Sequence, residues 1–82
     1  MIPIKTILLQ RIIDMINFEL ETDLITLNQL LKVVGIAETG GHAFEMIDAG
    51  MVSVNGEKET RRRKKLHKGD IVEIDEEQIK IV

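Results

Sequence analysis

Six of the chain's eleven lysines and arginines fall within eight residues: Arg61, Arg62, Arg63, Lys64, Lys65 and Lys68. No acid interrupts them, whereas the other seventy-four residues carry five bases against fourteen acids. Guanidinium and ammonium groups at this density attract anions. Arginine also orients what it attracts, because its planar fork meets two oxygens of one phosphate or carboxylate. A chain of net charge −3 that gathers its positive charge in one stretch is suited to holding a polyanion there, and nucleic-acid phosphates are the commonest polyanion. A purely solvated loop would show the same run, but solubility does not require so sharp a contrast with an acidic chain.

A second anion-binding candidate is the helix start at Thr39-Gly40-Gly41-His42. The first backbone N–H groups of a helix lack intrahelical partners, and the helix dipole favours negative charge beside them. Thr39 and Gly41 sit at that start. His42 can add a donor there, although it reads equally well as an ordinary surface residue. His67 lies in a turn and adds donors at most.

Catalytic patterns are missing. The chain has no cysteine, which removes disulfides, thiolate metal sites and a thiol nucleophile. It has no phosphate-loop glycine pattern and no His, Ser and Asp set placed for acyl transfer. Glu57, Glu59 and Asp70 match no metal-ligand spacing, so no metal or cofactor is expected. Aromatic content is 2%, from Phe18 and Phe44 alone, which is too little for a base-stacking platform of aromatic rings. Glu73, Asp75, Glu76 and Glu77 read as a solvated face that repels a nucleic acid and confines binding to one side.

Eighty-two residues make one domain with a modest core. Ile16, Phe18 and Leu20 alternate with Asn17, Glu19 and Glu21, which predicts a strand with one wet face. Thr26 with Gln29 fits a capping box. Leu27, Leu30, Leu31 and Val34 follow as one helical stripe, closed by Gly35. A second helix starts at Thr39-Gly40-Gly41, presents Ala43, Met46 and Ile47 with Phe44 beside them, and ends at Gly50. Val52 and Val54 precede Asn55-Gly56, the strongest short hairpin signal. His67 to Asp70 is another turn. Ile71–Ile74 and Gln78–Val82 are strands joined by Asp75-Glu76-Glu77. Leu66 is the one apolar residue of the basic stretch and is expected to anchor it to the core. The fold class is α+β, a two-helix hairpin packed on a small, mostly antiparallel β-sheet.

Residues 1–15 form a segment apart, ahead of the domain at 16–82. Ile4, Leu8, Ile12 and Met15 recur at helical spacing, but Lys5, Gln10, Arg11 and Asp14 make the run too short and polar to span a membrane. No signal-peptide cleavage site follows. Two readings stand. The segment is an amphipathic helix that packs on the domain or on a second copy of the chain, or it is a non-native extension with translation starting at Met15. The second is preferred, because a complete domain pattern begins just after Met15.

From about Phe18 to Val82 the chain resembles the S-four-type RNA-binding domain (the αL motif, named for a small-subunit ribosomal protein). The resemblance rests on Thr26-Leu27-Asn28-Gln29-Leu30-Leu31-Lys32, Gly40-Gly41-His42-Ala43, Ala49-Gly50-Met51-Val52-Ser53-Val54-Asn55-Gly56, Glu59-Thr60-Arg61-Arg62, Lys65-Leu66 and Lys68-Gly69-Asp70-Ile71-Val72. The small stand-alone bacterial members are the most similar. Larger members usually open the second helix with a Ser-Arg pair, and here Thr39-Gly40-Gly41 stands instead. Arg63 occupies a place where stand-alone members often have glycine. The resemblance implies binding of structured ribosomal or transfer RNA without catalysis, in ribosome assembly or rescue, by a cytoplasmic protein. It adds Lys32 to the expected RNA contacts. A monomer is expected, with no membrane or small-molecule partner. The alternative is a protein-interaction module whose basic loop meets an acidic partner, with the stretch 1–16 mediating self-association.

Overall fold

The computed structural model describes residues 15–82. The segment 1–14 lies outside the described residues. Nine elements follow in order: β1 (Met15–Phe18), β2 (Ile25–Thr26), α1 (Leu27–Val33), α2 (Gly40–Asp48), β3 (Val52–Val54), β4 (Glu57–Lys58), β5 (Lys65–Leu66), β6 (Ile71–Ile74) and β7 (Glu77–Ile81). Five strands make one sheet in the order β1-β7-β6-β3-β4, and β2 pairs with β5 in a second, two-stranded one. The β1–β7 pair is parallel and every other pair is antiparallel. The molecule is α+β with a mostly antiparallel mixed sheet.

Register explains why one face of the sheet is dry. Ile16 lies opposite Ile79, Ile79 opposite Val72, and Val72 opposite Val54. Phe18 lies opposite Ile81, and Val52 opposite Ile74. Side chains alternate along a strand, so these apolar rows share a face while Ser53, Glu73, Gln78 and Lys80 take the other. From the helices, Leu27, Leu30 and Leu31 of α1 join Ala43, Met46 and Ile47 of α2 in the same cluster, with Leu20, Ala37 and Leu66. Each large apolar side chain buried this way contributes about 1.5–3 kcal/mol.

Local signals act as their chemistry requires. Asn55 and Gly56 both have positive φ, the geometry of a two-residue type I′ hairpin. Gly50 follows α2 at φ +77°, with its amide on the Ile47 carbonyl and that of Met51 on Met46, which is a Schellman closure. Three boundaries differ from the sequence reading. The first strand starts at Met15 and its regular pairing ends at Phe18, although Leu20 still donates to the Val82 carbonyl at 2.9 Å. The stripe predicted to run through Val34 stops as helix at Val33, with Val34 as its C-cap. The last strand takes in Glu77, which leaves Asp75 and Glu76 as the turn.

Candidate nucleic-acid interface

The basic stretch connects β4 to β5 and is tied down by its own backbone. The Glu59 amide donates to the Val52 carbonyl at 2.9 Å, and the Lys64 amide to the Arg61 carbonyl at 3.2 Å. Two of its carbonyls then satisfy the start of α1: Leu27 donates to Lys64 at 2.8 Å and Asn28 to Arg62 at 3.1 Å. The capping box foreseen at Thr26 does not form in its usual sense. The Thr26 hydroxyl donates to Gln29 Oε1 at 2.9 Å and accepts no backbone amide. The helix needs acceptors for its first amides, and the basic loop supplies them from the main chain. Leu66 completes the attachment, fully buried opposite Ile25.

The first two arginines of the run are bound internally. Arg61 folds back on Glu59, a carboxylate only 8% exposed. Its Nε and Nη2 reach the two carboxylate oxygens at 3.1 and 3.0 Å, and its backbone amide adds a third bond at 2.9 Å. The Arg61 hydrogen bond is the main cause that holds the Glu59 carboxyl below the usual range, against the opposing effect of burial, and Arg61 is raised in turn. Arg62 reaches across fourteen residues to Asp48 at the end of α2. Its Nε donates to Oδ1 at 3.1 Å and its Nη2 to Oδ2. Its guanidinium carbon lies 4.8 Å from the Phe44 ring centre, within cation–π range. The Arg62 hydrogen bond lowers the Asp48 carboxyl and raises Arg62.

Arg63, Lys64, Lys65 and Lys68 have no ion pair among the described residues. Arg63, Lys65 and Lys68 are exposed and Lys64 is half-buried, close enough to Glu59 to pull weakly on its charge. Lys68 stands in a braced turn. Asp70 accepts from the His67 amide at 2.8 Å and from Asn55 Nδ2 at 3.1 Å, while Asn55 Oδ1 accepts from the Ile71 amide at 2.9 Å. The turn carrying Lys68 is therefore fastened to the Asn55-Gly56 hairpin. Between hairpin and loop, Asn55, Lys58, Glu59, Arg61 and Lys64 line a shallow depression.

The start of α2 is partly satisfied. Thr39 Oγ1 accepts from the His42 amide at 3.0 Å, and His42 Nδ1 accepts from the Glu38 amide at 3.2 Å. The neutral His42 ring therefore keeps its proton on Nε2. The backbone at Gly40 and Gly41 is open to approach, with only Thr39 Oγ1 near the Cβ direction of Gly41, at 3.9 Å. Lys32 stands in the last turn of α1, at the end that leads into α2. Nine of the ten residues expected to bind RNA thus fall into two groups, with Lys68 in the turn after β5. Arg61 to Lys65 gather at the start of α1, and Lys32, Thr39, Gly41 and His42 lie toward its other end, roughly 10 Å away for a seven-residue helix.

Sequence reasoning missed two participants. Glu59 enters the sequence reading as part of the Glu59-Thr60-Arg61-Arg62 motif and of a rejected metal set, not as a partner for Arg61, although an acid two residues before Arg61 in a turn is a usable signal. Asp48 carried no signal, because its partner is fourteen residues away. Among the described residues, no group of three or more acids and histidines is placed to hold a metal ion. No helix among them is long and apolar enough to cross a membrane.

Comparison with known proteins agrees with this architecture. A family model described as "S4 domain" matches residues 18–82. The chain is also similar to "Probable ribosome maturation protein RlbA" of Bacillus subtilis (strain 168), with 41% identity over 56 residues, 68% of this chain and 79% of that protein. With the family model spanning most of the chain and a relative of this similarity, the chain is a small member of the S4 domain family.

Proposed function

We propose that this protein is a non-catalytic RNA-binding protein of the cytoplasm that seats structured ribosomal RNA on its basic loop and acts in ribosome maturation. The observation that carries the proposal is the division of labour within the loop. Arg61 and Arg62 are spent on internal carboxylates, whereas Arg63, Lys64, Lys65 and Lys68, with no ion pair among the described residues, keep their charge for an outside anion. Family membership and the name of the Bacillus subtilis relative support the choice of RNA and of the ribosome. Residues 16–82 are the binding unit in this reading. The open backbone at Gly41, with Thr39, His42 Nε2 and Lys32, supplies a weaker second contact. A fixed loop suits a fixed phosphate geometry, so folded RNA with a helix beside a loop or junction is the preferred ligand over an unstructured strand.

The test is equilibrium binding to ribosomal RNA fragments, transfer RNA and an acidic polypeptide at two salt concentrations. The proposal expects ribosomal fragments to bind tightest. It also expects affinity to fall by about 0.7–0.9 log units per log unit of salt for every phosphate neutralised. Preference for the acidic polypeptide would contradict it and favour a protein-interaction module.

A further inference from the structure

We propose that the Arg62 guanidinium, seated on Phe44 and held by Asp48, is a stacking platform for one unpaired nucleobase of the bound RNA. The inference rests on the RNA-binding reading and adds a base contact to what is otherwise a phosphate clamp. With two aromatic residues in the chain, rings alone make no platform. Bases stack on guanidinium planes as well as on aromatic rings, however, and Arg62 covers the ring of Phe44.

Three features separate Arg62 from Arg63, Lys64 and Lys65, and its seat on the Phe44 ring separates it from Arg61. It is already immobilised: both Nε and Nη2 are on Asp48, the guanidinium carbon is 4.8 Å from the Phe44 ring centre, and its backbone carbonyl caps α1. Little rotamer freedom remains to be lost when a ligand arrives, which is the usual penalty for recruiting an arginine. It is also accessible, since 52% of its side chain stays exposed after those contacts form. Finally, its charge is matched. A phosphate approaching Arg62 meets the Asp48 carboxylate, itself 47% exposed, and is repelled by it. A neutral base carries no such penalty. The same carboxylate that spoils Arg62 as a phosphate ligand holds it as a flat surface for a base. Arg63, Lys64 and Lys65, which form no ion pair among the described residues, take the flanking phosphates.

The test uses hairpin RNAs cut from ribosomal RNA, each made in two forms, with one unpaired nucleotide intact or abasic. Binding is compared for the native protein, Arg62→Lys and Phe44→Leu, with the fold of each variant checked by its amide NMR spectrum. Lysine keeps the charge and the backbone cap but has no plane. Leucine keeps apolar bulk but has no ring. The native protein is expected to lose about five- to hundredfold in affinity when one particular base is removed. Both variants are expected to bind the intact and abasic forms within about twofold of each other and to keep the native salt slope. RNA binding in which no unpaired base matters, or in which both variants keep the full abasic penalty, overturns the stacking proposal alone. Failure of every fragment to bind overturns the RNA reading and this inference with it.

Discussion

The backbone amide of Asn28 donates to the carbonyl of Arg62 at 3.1 Å, so the loop that concentrates the positive charge is also the N-terminal cap of α1. Charge and fold are carried by different atoms of the same residues. Main-chain carbonyls hold the helix, buried Leu66 holds the loop, and the side chains of Arg63, Lys64, Lys65 and Lys68 form no ion pair among the described residues.

That separation makes the clamp removable. Replacing Arg63, Lys64, Lys65 and Lys68 with alanine leaves every backbone bond to Leu27 and Asn28 in place, so the variant is expected to fold. Its RNA affinity is expected to drop, and its salt slope to flatten by about 3 units if each side chain serves one phosphate. Parallel measurement of thermal unfolding and of binding at several salt concentrations checks both halves.

Leu66 is the converse case. Leu66→Ala opens a cavity where β5, β2 and the loop meet, and is expected to cost about 2–5 kcal/mol in denaturant unfolding. RNA affinity at a temperature where the variant remains folded is expected to fall as well, because the loop loses its anchor. A stability loss well under 1 kcal/mol would mean that the loop is held mainly by its backbone bonds.

Glu59 sets an acid limit. Its carboxyl titrates below the ordinary glutamate value of about 4.3 in the folded protein, through the bonds from Arg61. A group whose folded value is depressed stabilises the fold above its unfolded value, and that contribution is lost as pH falls through the folded one. Stability is therefore expected to be flat from neutral pH to about 5 and to decline below it. Glu59→Gln keeps the shape of the side chain and removes its charge. It is expected to be less stable than the native protein at pH 7 and to approach it in stability as the pH falls through the depressed Glu59 value. Urea midpoints measured across that range check the sign.

Much of this arrangement was legible in the residues. The alternation at Ile16 and Phe18, the stripe through Leu27, Leu30 and Leu31, the Asn55-Gly56 turn and the burial of Leu66 follow from period and turn chemistry, which are local. The misreadings share the opposite cause. Thr26 and Gln29 carry the capping-box residues, yet a carbonyl thirty-seven residues downstream, that of Lys64, takes the first amide of α1 instead. All six bases looked equally available, because pairing of Arg62 with Asp48 depends on how α2 and the loop pack, and no local pattern reports it. The basic stretch itself was visible as charge, while its division into bound and unbound cations was not.

Asp70 gives a smaller test of the second turn. Asp70→Ala removes two hydrogen bonds, one from Asn55 Nδ2 that fastens the Lys68 turn to the hairpin and one from the His67 amide that closes the turn itself. The expected loss is about 1–2 kcal/mol of stability, from a net contribution near 1 kcal/mol per bond, with a modest weakening of RNA binding. Faster amide exchange at His67 and Ile71 is the expected local signature.

The central claim is that four cations with no ion pair among the described residues, carried on a braced loop, bind ribosomal RNA. The most direct measurement is crosslinking in cells followed by sequencing of the attached RNA, for the native chain and for the Arg63, Lys64, Lys65 and Lys68 alanine variant at matched abundance. The account predicts that native crosslinks concentrate at a few structured ribosomal RNA segments and that the variant loses them. Native crosslinks spread over RNA in proportion to its abundance, or an undiminished ribosomal signal in the variant, would contradict it.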